Sequence, residues 1–129
     1  MRSQIAAEFI VLISIGLLGF IVVVIIAGDQ VRELYDGREY IITRSKALDI
    51  QSELYIAAQV HHGYEREFTI PPKLEGIPIT VTTSNGSFYL NSTRYQHYLR
   101  IPRNIEGELI LGNNYVNNTE GKLYLNPQP

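Results

Sequence analysis

Cysteine is absent from the 129 residues. That removes disulfide frameworks, thiol nucleophiles and zinc knuckles together. Methionine occurs once, and a chain short of oxidisable residues fits the composition of heat-adapted proteins. There is no basic surplus either: Lys+Arg 11 stand against Asp+Glu 13, a net charge of −2. Nucleic-acid binding therefore lacks its electrostatic footprint. The nine tyrosines and four phenylalanines, without interleaved positive charge, read as aromatics of a β domain rather than as base-stacking platforms. No nucleophile elbow and no glycine-rich phosphate loop occurs. His61 and His62 are adjacent, which points them apart on a helix and argues against a metal pair. Glu65, Glu67, Glu75, Glu106 and Glu108 imitate catalytic carboxylates, but Glu106 and Glu108 at i, i+2 read as solvated charges on a strand edge. The sequence predicts no enzyme, no metal site and no cofactor.

Charge is scarcest at the start. Residues 1–28 hold only Arg2 and Glu8. From Phe9 to Gly28 the chain reads FIVLISIGLLGFIVVVIIAG, without a charge and with Ser14 as its one hydroxyl. About twenty apolar residues span a bilayer core of roughly 30 Å as a helix. A buried core helix would show a polar stripe, and a cleaved secretory signal has a shorter apolar region followed by a small-x-small site. The expectation is a retained membrane helix. Arg2 before the span and the bulk of the chain after it place the N-terminus inside and residues 29–129 outside. Gly16 and Gly19 either let helices approach closely or loosen a turn.

Proline is absent before Pro71, so nothing breaks a helix running from about Gln4 to Gln59 or His61, roughly 85 Å long. Gly63 is the expected C′ residue. Leu34, Ile41, Leu48 and Tyr55 recur seven apart, a stripe that serves as a coiled-coil seam or as the face on which a sheet packs. The rest of the chain favours the sheet. REFTI, IPITVTT, SFYL, HYLRI, GELIL and KLYL are short alternating segments, with Asn85-Gly86 suited to a tight hairpin and Pro71-Pro72 as a break. A one-faced antiparallel sheet must cover its apolar side. The predicted fold is α+β: a long N-terminal helix, half bare, with a small antiparallel sheet on its C-terminal half. Its parts are a leader 1–3, a membrane and polymerisation helix 4–28, an amphipathic continuation 29–62 and an extracellular β head 63–129.

A bare half-helix feeding a β head resembles a type IV pilin-like subunit. The opening SQIAAEF sharpens this, because it resembles the class III signal peptide of archaeal type IV pilins. Arg2 takes the place of the basic leader residue, Ser3 the residue before the cut, Gln4 the new N-terminus and Glu8 the glutamate fifth after it, with Phe9 beginning the apolar run. The leader Met1-Arg2-Ser3 is shorter than most, and Ser3 stands where glycine is more usual. The resemblance covers residues 2–28. It implies cleavage between Ser3 and Gln4 by a prepilin peptidase, and no cofactor. It also implies assembly through an ATPase and a membrane platform into a filament of copies or with other pilins, first in the membrane and then at the cell surface.

Gln4, Glu8 and Phe9 become the candidate assembly residues. The resemblance places Glu8 near the N-terminal amine of a neighbouring subunit, where the two charges offset each other's burial and set axial register. Alternatives are a solitary anchored protein whose head binds a ligand or surface through the tract STRYQHYLRIP, and a minor or priming pilin. Three sequons name Asn85, Asn91 and Asn117 as candidate glycan acceptors.

Overall fold

The computed structural model describes residues 2–60 and 62–127. Among the described residues one helix, α1 (Arg2–Gln59), is followed by nine strands: β1 (Tyr64–Ile70), β2 (Lys73–Leu74), β3 (Ile77–Pro78), β4 (Thr80–Ser84), β5 (Ser87–Asn91), β6 (Gln96–Arg100), β7 (Ile105–Glu106), β8 (Gly112–Thr119) and β9 (Lys122–Leu125). The α+β class read from the sequence is the class observed. The chain divides between Arg38 and Glu39 into two compact units.

The first unit is helix alone, and its side chains from Ser3 to Tyr35 are exposed. The β-branched run Val22-Val23-Val24-Ile25-Ile26 is a mediocre helix former in water. It is nonetheless continuous helix here, a structure that satisfies its backbone groups within one segment. Ser14 donates its hydroxyl hydrogen to the Ile10 carbonyl at 2.8 Å, so the only hydroxyl of the run is satisfied within the helix. Neither Gly28 nor Gly37 interrupts α1.

In the second unit the helix buries Glu39, Thr43, Ala47, Ile50, Leu54 and Ala57. Their spacings of 4, 4, 3, 4 and 3 average the 3.6-residue period of a straight helix. The seven-residue stripe is not this face: Ile41, Leu48 and Tyr55 are 67, 41 and 41% exposed. Ile50 and Leu54 supply the bulk of the buried face, with Thr43, Ala47 and Ala57 alongside them. The core against that face is Ile70, Ile79, Phe88, Leu90, Leu99, Ile101, Leu109, Val116, Leu123 and Leu125, the inward residues of most of the predicted strands.

The strands form three sheets rather than one: β1-β8-β9-β7, β2-β3 and β4-β5-β6. Pairing is antiparallel except between β7 and β9, which run parallel. IPITVTT splits into β3 and β4. GELIL is not a strand, and the segment after it, GNNYVNNT, is β8, paired on both sides. The turns Glu75-Gly76 and Glu120-Gly121 are both left-handed at both positions, with φ of 48° and 87°, and 54° and 81°. That is the pattern of two-residue turns whose twist matches the flanking strands.

Leu54 is fully buried, so Leu54→Ala should destabilise the folded head by about 2–5 kcal/mol. Ile41→Ala on the exposed stripe should change it by less than about 0.5 kcal/mol. Thermal unfolding of the two full-length variants in detergent, followed by circular dichroism, checks the difference.

Candidate functional site

The candidate assembly residues lie at the start of α1. The helix begins at Arg2 rather than Gln4, so the Ser3–Gln4 bond sits within the first turn. Backbone N–H groups there have no intrahelical acceptor, and no acidic residue lies in that turn to stabilise it. Gln4 and Glu8 are four apart and share a face, separated by an axial rise of about 6 Å. Glu8 makes no ion pair or hydrogen bond among the described residues. Phe9 beside it is 63% exposed. Glu8 is thus the single acid at the edge of an exposed apolar run.

The head contains two buried polar nodes that the sequence reading passed over. At one, Glu39 Oε1 accepts from the Ser92 hydroxyl at 2.8 Å and from the Arg94 N–H at 3.2 Å, closing the turn between β5 and β6 onto α1. One helical turn on, Thr43 Oγ1 lies 2.7 Å from the Glu39 carbonyl and 2.7 Å from His97 Nε2. A carbonyl has no hydrogen to give, so Thr43 donates to it, and His97 must then donate from Nε2. The rings of Tyr40 and Tyr95 lie 5.3 and 6.4 Å from the His97 ring. Burial, and then the charge of Arg44, hold the His97 pKa below the ordinary histidine value.

At the other node, Asn118 from β8 caps the helix. Its Nδ2 donates to the carbonyls of Ala57 at 2.8 Å and Val60 at 3.0 Å. Its Oδ1 accepts from the Gly121 N–H at 3.1 Å, and its carbonyl accepts from the Gly63 N–H at 3.0 Å. Helix ends must satisfy their last carbonyls, and here a strand side chain does so. Gly63, expected as C′, instead stands beyond that position in the following turn, with φ of 93°. His61, the alternative helix end and one of the adjacent histidines, lies outside the described residues.

The three sequons fall in unlike settings. Asn85 is exposed at the tip of the β4–β5 hairpin. Asn91 is half-buried, and its Oδ1 is enclosed without a partner. Asn117 lies within β8, its Nδ2 3.4 Å from Glu65 Oε1 and its Oδ1 accepting from the Thr119 hydroxyl at 3.0 Å. The carboxylates that imitated a catalytic set are dispersed. Glu65 bonds to Asn117 and Tyr115. Glu75 forms a turn, and Glu106 pairs with Lys122. Glu106 and Glu108 do not continue one strand, because β7 stops at Glu106 and Gly107 comes next with φ of 102°. With Asn85 they line an open groove of about 390 Å³.

The His97 node makes stability pH-dependent with a definite sign. A base whose pKa is lowered on folding binds fewer protons folded than unfolded, so stability is complete above the unfolded value of about 6.5 and falls as pH drops below it. Melting temperatures should therefore decline between pH 7.5 and 5, and His97→Gln should flatten that limb. If the folded protein carries N-linked glycan, Asn85→Gln should remove the mass increment, and Asn117→Gln should leave it. Intact-mass spectrometry reads both. No family model, curated protein or solved structure matches the chain.

Proposed function

We propose that the chain is a structural subunit of an extracellular filament of the archaeal type IV pilus kind. It is held in the membrane by its N-terminal helix until Met1-Arg2-Ser3 is removed by a prepilin peptidase, and is then assembled by a pilus ATPase and membrane platform. One observation carries the reading: residues 9–28 of α1 are uncharged, long enough to cross a membrane and exposed throughout, with one acid, Glu8, just before them and a turn beyond Gln4. Outside lipid this surface must be covered. Burying on the order of 2,000 Å² of it at ~25 cal/mol per Å² contributes tens of kcal/mol. A bundle of identical helices provides that cover, and once formed it does not reverse unless lipid is offered again.

Cleavage before Gln4 creates an amine in the same zone as Glu8. An isolated charge in hydrocarbon is expensive, and an amine paired with a carboxylate offsets much of that expense. The pair forms only when neighbouring helices are offset by a definite axial step, so it selects a register that greasy side chains alone leave undefined. The exposed, seven-spaced Ile41, Leu48 and Tyr55 support the same reading, since they are a helix seam awaiting other helices.

Replacing Glu8 by Ala should leave the protein in the membrane fraction and abolish filaments in sheared surface material viewed by electron microscopy. Normal filaments from that variant would remove the charge pair from the account. Mass spectrometry of surface material should find a chain beginning at Gln4. An intact Met1 there would contradict processing.

A further inference from the structure

The tract STRYQHYLRIP divides on folding. Tyr95 and His97 turn toward α1, where their rings meet Tyr40, while Tyr98 is 52% exposed on the opposite side of β6. Alternation along the strands puts Tyr98 on the outer face of the β4-β5-β6 sheet, with Gln96 and Arg100 either side of it. In register, Thr82, Tyr89 and Tyr98 form one rung across the three strands. The two tyrosine rings lie 5.3 Å apart and are tilted by 50°. Cross-strand pairing of aromatics stabilises a sheet, but it does not require that the flanking residues be hydroxyls and amides, as Thr80, Thr82 and Gln96 are here.

From this geometry we infer that the outer face of β4-β5-β6 binds a carbohydrate chain bearing carboxylates, with Tyr89 and Tyr98 as its stacking platform and Arg100 as its anion contact. A pyranose ring presents a face of C–H groups, which sit favourably against the negative face of an aromatic ring. Its hydroxyls need donors and acceptors beside that ring, and the threonines and Gln96 supply them. Arg100 is the only charged residue on this face, no acid lies among its outward residues, and Arg100 makes no ion pair among the described residues. A guanidinium in that position suits a planar carboxylate, which it can grip through two N–H groups.

Two other partners fit less well. Single-stranded nucleic acid would also stack on tyrosine, but it brings one phosphate per base and needs a groove with several cations. A protein partner would want a dry apolar centre, and the outward residues of this face include no aliphatic side chain. The inference is independent of filament assembly, since the face belongs to the head alone.

The test uses the full chain in detergent micelles, captured on a surface plasmon resonance chip, with tetragalacturonate, maltotetraose and a twelve-nucleotide oligothymidine as probes. Tetragalacturonate should bind, and more tightly than maltotetraose. Tyr98→Ala should weaken it roughly three- to ten-fold and Arg100→Gln about ten-fold, while Tyr98→Phe should bind like the parent chain. Both substituted positions are exposed, and an unchanged circular dichroism spectrum verifies that each variant is folded. Absence of tetragalacturonate binding at millimolar concentration would overturn the proposal. So would equal binding by maltotetraose, unaltered binding by both weakening variants, or tighter binding of the oligothymidine.

Discussion

The head is organised around the amide of Asn118. One side chain closes the end of α1 through two carbonyls, receives the Gly121 N–H of the β8–β9 turn, and sits in a strand whose backbone receives Gly63. Helix end, loop and hairpin are thereby fixed with respect to one atom group. The side chain is buried, and so is its bond to the Ala57 carbonyl, so leaving that bond unmade would strand a polar group in the core. The central place of β8 in its sheet accords with this, because β1 and β9 pair to either side of the strand that carries the cap.

Alongside this cap, the buried helix face mixes apolar and polar members: Ala47, Ile50, Leu54 and Ala57 are enclosed together with Glu39 and Thr43. The polar members of the same face are tolerated because each is bonded: Glu39 to the β5–β6 turn, Thr43 to its own helix and to His97. Ile41, Leu48 and Tyr55 are left outside. In the other unit the reverse holds, and no side chain from Ser3 to Tyr35 is enclosed.

The long helix was legible because nothing in the first seventy residues forbids it, and the strands were legible wherever apolar and polar residues alternate. KLYL and SFYL behave as read. GELIL and GNNYVNNT exchanged roles for one reason, the asparagines. Asn114 accepts from the Ile110 N–H and donates to the Ile110 carbonyl, Asn126 donates to the Glu108 carbonyl, and Thr83 accepts from the Leu109 N–H. Side chains thus satisfy the backbone of the apolar segment, which has no need of a ladder. Meanwhile the asparagine-rich segment, poor in strand formers by propensity, becomes the central strand because its inward Asn114 and Asn118 are fully bonded. The Glu-Gly turns were hidden similarly, since glutamate is not the residue that such turns prefer. Of the candidate site, the order Gln4, Glu8, Phe9 needed only the linear sequence. The His97 node did not show there, because it joins residues 54 positions apart.

The two arithmetics of α1 have a geometric consequence. Buried residues 39 to 57 keep step with the helix itself, but Ile41, Leu48 and Tyr55 fall behind it by about 20° in every seven residues. Across Ile41, Leu48 and Tyr55 that lag sums to about 40°, so a neighbour following all three would wind gently left-handed around α1.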